Sequence, residues 1–239
     1  MIKKKQPGER IAKVIARAGV ASRRESERLI LSGYVTVNRL RINSPALNVS
    51  SSDTITVKGK LLGEQQPSRL WYYNKPSGLV TTNSDEKGRE SIYDKLPKYL
   101  PRLMSIGRLD LTSEGLLLLT NDGELKRKME LPSSGFIRKY RIRAKGVVNE
   151  EGFDLIRKGI IIKGEKFRPI DIKVDKIQGA NIWLTAGLSE GKNRELRRVL
   201  EQVGLLVNRL IRTSYGPFQL GFLPRGGIKE VKRKTLHEQ

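Results

Sequence analysis

The 239-residue chain contains no cysteine, which excludes disulfides, thiolate nucleophiles and cysteine-ligated metals. Its single histidine, His237, stands two residues from the end of the sequence. That position excludes an ordinary Ser-His-Asp triad and leaves little with which to build a histidine-ligated metal site. No apolar run is long enough to span a bilayer. Met1-Ile2-Lys3-Lys4-Lys5 leads into polar residues, not into the apolar segment of a secretory signal, so the expected compartment is the cytoplasm and no membrane partner is expected. Glycine-rich loops of the P-loop or dinucleotide-binding type are missing as well. Any catalysis has to rest on carboxylates, tyrosine, lysine, arginine or a cofactor.

Acidic residues are scarce: 25 Asp and Glu face 47 Lys and Arg, a formal net charge of +22. A field of that sign attracts a polyanion through phosphate contacts and counterion release, which makes nucleic acid the favoured partner over a merely solvated basic surface. With 37% hydrophobic residues, the chain can form one large core or two unequal ones.

In Glu9–Val20, Ile11, Val14, Ile15 and Ala18 fall at helical spacing, with Gly19 as a stop. Ser22 fits the N-cap of a second helix that runs to about Leu31 and ends at Gly33. Val35-Thr36-Val37 and Thr54–Val57 read as short strands. Residues 1–60 hold thirteen Lys or Arg against four Asp or Glu. Residues 61–68 are polar, contain Pro67, and form the natural linker to a second region at 69–228; residues 229–239 form a basic tail.

The second region begins with a strand at Arg69–Tyr73 and a turn at Asn74-Lys75-Pro76-Ser77-Gly78, where Lys75 is either a solvated turn residue or a nucleic-acid contact. Ser105–Gly123 reads SIGRLDLTSEGLLLLTNDG. Its leucine run is short enough for a fully buried strand, and Asp110 precedes it in a loop. Spacing alone leaves Asp110 open between capping a turn with Thr112 and Ser113 and serving as an acid mounted for chemistry. Glu124–Glu130 suggests a short helix, Ile137–Ala144 a strand, and Glu150–Lys158 a helix. Ile160–Ile162, Ile170–Val174 and Asn181–Ala186 are further strands, and Leu188–Leu200 opens another helix. Strands with interspersed helices, and no regular β-α-β rhythm, argue for an α+β fold with a largely antiparallel sheet. Tyr140 shares a strand face with Arg138 and Ile142, and by pattern alone it is equally a core aromatic.

The stretch GRLDLTSEGLLLLTNDG resembles the signature of the ribosomal RNA pseudouridine synthases of the RsuA/RluB type, and the N-K-P-x-G run belongs to the same pattern. The resemblance implies that Asp110 is the essential catalytic residue and that Arg108 takes the space of an extruded base. Tyr140, in the R/K-x-Y pattern, would touch the target uracil. In Glu190-Gly191-Lys192-Asn193-Arg194-Glu195-Leu196-Arg197-Arg198, Arg197 matches the basic residue that pairs with the aspartate, and Lys192 and Arg194 are implied RNA contacts. Glu195 departs from the glutamine found in many members. Leu210, within NRLIRTSYGP, would pack under the base. IAKVIARAGVASRRESERLILSGYVTVN resembles the small RNA-binding domain shared with ribosomal protein S-four, with Arg17, Arg23, Arg24 and Arg28 as candidate contacts.

The resemblance thus implies an S-four-like domain followed by a mixed, largely antiparallel synthase domain. A monomer would isomerise one uridine of ribosomal RNA, of the large subunit or its precursor particle, without metal or redox cofactor. A non-catalytic ribosome-assembly factor fits charge and domain order as well, but leaves the conjunction of Arg108, Asp110, Tyr140 and Arg197 unexplained. An RNA methyltransferase is disfavoured by the missing nucleotide-binding glycines.

Overall fold

A computed structural model describes residues 8–64, 66–83 and 85–232; the end of the expected basic tail, His237 included, lies outside the described residues. The chain forms two compact units.

The first unit comprises residues up to Ser68 together with Tyr99–Leu103 and Asn121–Gly123. Its helices are Ile11–Arg17 and Arg23–Leu31, and its four-stranded antiparallel sheet runs in the order Leu40–Arg41, Val35–Val37, Ile55–Val57, Lys60–Leu61. The first helix is shorter than its periodicity predicts, because Glu9–Arg10 instead pairs as a strand with Asn48–Val49. The second begins where its cap predicts: Ser22 accepts a hydrogen bond from Glu25 N at 3.1 Å. Ile11, Ile15, Ile30, Val35, Ile55 and Val57 close the core between helices and sheet. Of the expected linker, Leu61 still belongs to the last strand, and residues 62–64 and 66–68 form no helix or strand.

The second unit is built on a nine-stranded sheet. Its path is Asp171–Gln178, Asn181–Leu188, Arg138–Lys145, Leu206–Tyr215, Ser113–Thr120, Leu70–Lys75 and Ile228–Glu230, with Met104–Ile106 and Phe218–Gln219 attached at its sides. All these pairings are antiparallel except one: Leu206–Tyr215 runs parallel to Ser113–Thr120, with Leu210 opposite Ser113 and Arg212 opposite Gly115. The sheet is therefore mixed and mostly antiparallel. The signature strand Ser113–Thr120 pairs with three strands, Leu70–Lys75, Leu206–Tyr215 and Met104–Ile106, and all eight of its residues are buried. Gly115 is required there. Its φ is +98°, and a Cβ would lie 2.3 Å from the carbonyl oxygen of Arg212 across the parallel pair.

Two expectations change. The helix expected from Leu188 starts only at Glu195, because Leu188 ends a strand and Arg194 takes a left-handed φ of +48° that no α-helix accommodates. The expected tail begins as structure: Ile228–Glu230 adds an edge strand to Leu70–Lys75, Val231 is buried, and Glu230 forms a two-pronged pair with Arg69 at 2.6 and 2.5 Å.

Candidate active site

The loop from Gly107 to Thr112, between the Met104–Ile106 and Ser113–Thr120 strands, is held along its main chain. Gly107 N donates to Glu130 Oε1 at 2.6 Å, and Thr81 Oγ1 donates to the Leu109 carbonyl at 2.8 Å. Lys75 Nζ donates to the Asp110 carbonyl at 3.1 Å, and Gly78 N to that of Leu111 at 2.8 Å. Arg197 Nη2 reaches the carbonyl of Thr112 at 3.3 Å. A loop so gripped has little backbone freedom, which fixes the point from which its side chain projects. That group is the half-buried carboxylate of Asp110, which has no hydrogen-bond or ion-pair partner among the described residues.

Lys75 is the buried centre of this arrangement. It is fully inaccessible and also donates to the carbonyls of Pro76 and Ser113, at 3.0 and 2.9 Å. Burial lowers its pKa to about 8, with Asp110 and Glu114 pulling back in the opposite direction. Neither of the two roles open for it from sequence describes it: its position follows from the antiparallel pairing of Lys75 with Gly115. The N-K-P-x-G run was the available signal. Thr81 and Glu130 carry no sequence signal of their role.

Asp110 opens into a cleft of about 1110 Å³, which Arg108, Tyr140, Lys192, Arg194 and Leu210 also line. Arg108 is exposed. Tyr140 is 8% exposed, and its hydroxyl has no hydrogen-bond partner among the described residues. A core tyrosine usually satisfies its hydroxyl, and this one does not among the described residues. Leu210 is buried, on the strand next to that of Tyr140. Below them Arg212 is 2% exposed, donates from Nε to the Leu116 carbonyl at 2.7 Å and lies 5.3 Å from the centre of the Tyr215 ring.

Arg197 stands behind the loop, outside the lining. It makes no ion pair within 4.0 Å of Asp110 among the described residues; its guanidinium bridges the carbonyls of Thr112 and Val207, the latter at 2.9 Å. Burial lowers its pKa, Arg194 adds to the fall, and the charge of Asp110 opposes it. Arg197 thus reaches the aspartate through the field and through the backbone.

The neighbouring loop owes its shape to Glu195. This side chain is 3% exposed, with Oε2 accepting from Lys192 N at 2.8 Å and Oε1 buried without a hydrogen-bond donor among the described residues. Burial pushes its pKa up to about 7; Glu190 adds to the rise, while the Lys192 backbone bond and charge resist it. Lys192 itself donates to the carbonyl of Lys166 and lies 3.5 Å from Glu190.

The candidate RNA contacts of the first unit are placed separately. Arg23 and Arg24 are exposed in the first turn of their helix, Arg28 pairs with Glu25 at 2.6 Å, and Arg17 is held by Glu9.

The RNA pseudouridylate synthase family model matches residues 69–202, and the S4 domain model matches residues 9–55. A Rickettsia felis protein named as an uncharacterized RNA pseudouridine synthase is 46% identical over 233 residues, covering 96% of this chain and all of the relative. The ribosomal large subunit pseudouridine synthase B of Pseudomonas aeruginosa is 38% identical, covering 96% of this chain and 61% of the relative. A crystal structure of a pseudouridylate synthase, 25% identical, superposes with a TM-score of 0.69 over 96% of this chain and 98% of the other. A cleft with a free, rigidly mounted aspartate, inside a fold and sequence matched throughout, has one assignment: this chain belongs to the RNA pseudouridylate synthase family, isomerases that convert uridine to pseudouridine in RNA.

Proposed function

We propose that this enzyme isomerises a specific uridine in ribosomal RNA of the large subunit, with Asp110 as the essential group. The observation that carries this is the Asp110 loop, gripped at five main-chain positions while its carboxylate is left without a protein partner in the cleft. The target base leaves its stack at a cost of a few kcal/mol, which contacts elsewhere on the RNA offset. Arg108, exposed beside the acid, has the planar guanidinium suited to stack where the base had been. The extruded uracil then lies between Leu210 and Tyr140, both of which line the cleft. The bond from uracil N1 to the ribose breaks, the base turns, and a carbon–carbon bond forms to C5; the proton leaving C5 is balanced by one gained at N1. Arg197 acts as a positioning residue that holds Thr112 and contributes positive potential behind the carboxylate.

The large-subunit assignment rests on relatives from Pseudomonas aeruginosa, Haemophilus influenzae and Yersinia pestis that bear that name at 37–38% identity. In this reading residues 1–60 grip structured RNA through Arg17, Arg23, Arg24 and Arg28, and residues 69–228 carry the chemistry, with Lys192 and Arg194 at the cleft edge holding the strand. The enzyme works as a cytoplasmic monomer, and among the described residues no helix is long and apolar enough to cross a membrane. Mapping pseudouridine in ribosomal RNA from cells with and without the protein tests the assignment. Loss of one large-subunit site is the expected result; an unchanged large-subunit map rejects it.

A further inference from the structure

At the Arg138–Lys145, Asn181–Leu188 and Asp171–Gln178 strands the sheet has two unlike faces. Side chains alternate along a strand. Tyr140, Ile142 and Ala144 go to the buried side with Ile182, Leu184 and Ala186, and the cleft opens on this side at Tyr140 and Leu210. The register therefore sends Lys139, Arg141, Arg143 and Lys145 to the opposite side, across from Gly187, Thr185, Trp183 and Asn181. The next strand adds Lys173 opposite Thr185 and, after a bulge, Lys176 opposite Trp183. Five of these six cations are exposed and Arg143 is half-buried.

Elsewhere in this unit arginines meet carboxylates: Arg209 pairs with Glu114, Arg157 with Asp154, and Arg69 with Glu230. On this face none of the six cations has an acidic partner within 4.0 Å among the described residues. The nearby Asp175 instead accepts from Thr185 Oγ1 at 2.7 Å. Two of the cations are anchored on an indole. Arg141 and Arg143 lie 4.7 and 5.9 Å from the Trp183 ring centre, and Arg143 Nε is buried without an acceptor among the described residues. Asp171, over Gly187, is the other acid on this face, so six cations stand against two carboxylates that pair with none of them within 4.0 Å among the described residues. Like charges facing one another on a sheet repel, so a row with this excess opposes folding unless an anion shares it. Same-face positions recur at about 7 Å along a strand, so Lys139 to Lys145 makes a positive strip about 20 Å long.

We propose that this face, turned away from the cleft, is a second RNA-docking surface that grips the sugar–phosphate backbone of a segment outside the one entering the active site. Trp183 limits the arrangements of the two guanidinium groups, so they are partly ordered before phosphates arrive. Such contacts position the RNA and read no bases. The proposal rests on the chain acting on RNA, and its test separates it from the assignment of the cleft.

The full-length enzyme is compared with an Arg141→Gln/Arg143→Gln/Lys145→Gln variant on two RNAs: the short target stem-loop and a long ribosomal fragment that contains it. A Lys139→Gln/Lys173→Gln variant, altering only exposed side chains, guards against a folding defect in the triple variant. On the long RNA both variants should bind more weakly, and the log–log salt slope should fall by roughly 0.7–0.9 for each phosphate that is no longer neutralised. On the stem-loop, binding and turnover should be unchanged. Trp71 is buried, so long RNA alone should perturb the Trp183 fluorescence. Equal slopes for parent and both variants on long RNA would overturn the proposal. So would an equal loss on both RNAs, which would mark a general field effect. Weakened association with the ribosomal particle but not with naked RNA would assign the face to an acidic protein surface instead. Failure of the parent to modify the stem-loop would count against the cleft assignment and leave the binding comparison intact.

Discussion

Lys75 and Tyr140 depart most from what their residue types suggest, and each yields a prediction. Lys75 is a buried cation whose ammonium holds the carbonyls of Pro76, Asp110 and Ser113 and lies 3.5 Å from that of Leu111. Lys75→Met keeps much of the volume and removes the cost of burying charge, but orphans those carbonyls, at roughly 1–3 kcal/mol for each left unpaired. The expected net loss is about 2–4 kcal/mol, read by denaturant unfolding. Turnover should fall further than RNA affinity, because the loop shifts while the basic surface remains. Tyr140→Phe keeps the ring and removes a hydroxyl that bonds to nothing among the described residues. The thermal transition should be unchanged and turnover slower, measured by single-turnover modification. A collapsed transition would return Tyr140 to the core. Neither environment was legible in the sequence. Lys75 stands in a turn motif, and only its pairing with Gly115, forty residues away, buries it. The free hydroxyl of Tyr140 depends on what the neighbouring strands do not supply.

The elements themselves were more legible, for local reasons. Ser22, the leucine run of Ser113–Thr120 and the alternation of Arg138–Lys145 each follow rules that act within a few residues. Where the rules are not local, the expectation differed from the fold. Ile228–Glu230 becomes a strand only because Leu70–Lys75, more than 150 residues earlier, leaves an edge open. The Leu188–Leu200 stretch has helical periodicity, yet the left-handed Arg194 delays the helix until Glu195. Glu195, buried with a raised pKa, is expected to make that turn sensitive to pH. Its pKa is about 7 in the folded chain against an ordinary 4.5, so it binds a proton more tightly when folded. Its contribution is therefore full below about pH 4.5 and lost as pH rises through about 7. Glu195→Gln cannot titrate, so its stability relative to the parent should increase across that window and level off above it. Thermal melts at a series of pH values check this; a constant difference would show that Glu195 is ionised throughout.

For the whole molecule, residues 1–60 in the proposed reading grip structured RNA, and residues 69–228 carry the chemistry together with further RNA contacts. Deleting residues 1–60 removes thirteen basic and four acidic residues, Arg23 and Arg24 among them. If about three of the positive charges meet phosphates, the log–log salt slope should fall by roughly 0.7–0.9 for each. Affinity for long ribosomal RNA should drop more than affinity for the short stem-loop, and slow modification should persist at high enzyme concentration. The central claim is that a rigid backbone presents one free carboxylate to an extruded uridine. Asp110→Asn tests it most directly, since the amide preserves shape and cannot serve as a carboxylate. Single-turnover modification and RNA binding should be measured on the same preparation. Turnover should fall by at least roughly 10²–10⁴, the range for a lost acid or base, with affinity nearly unchanged. Turnover by the variant comparable to that of the parent would contradict the account.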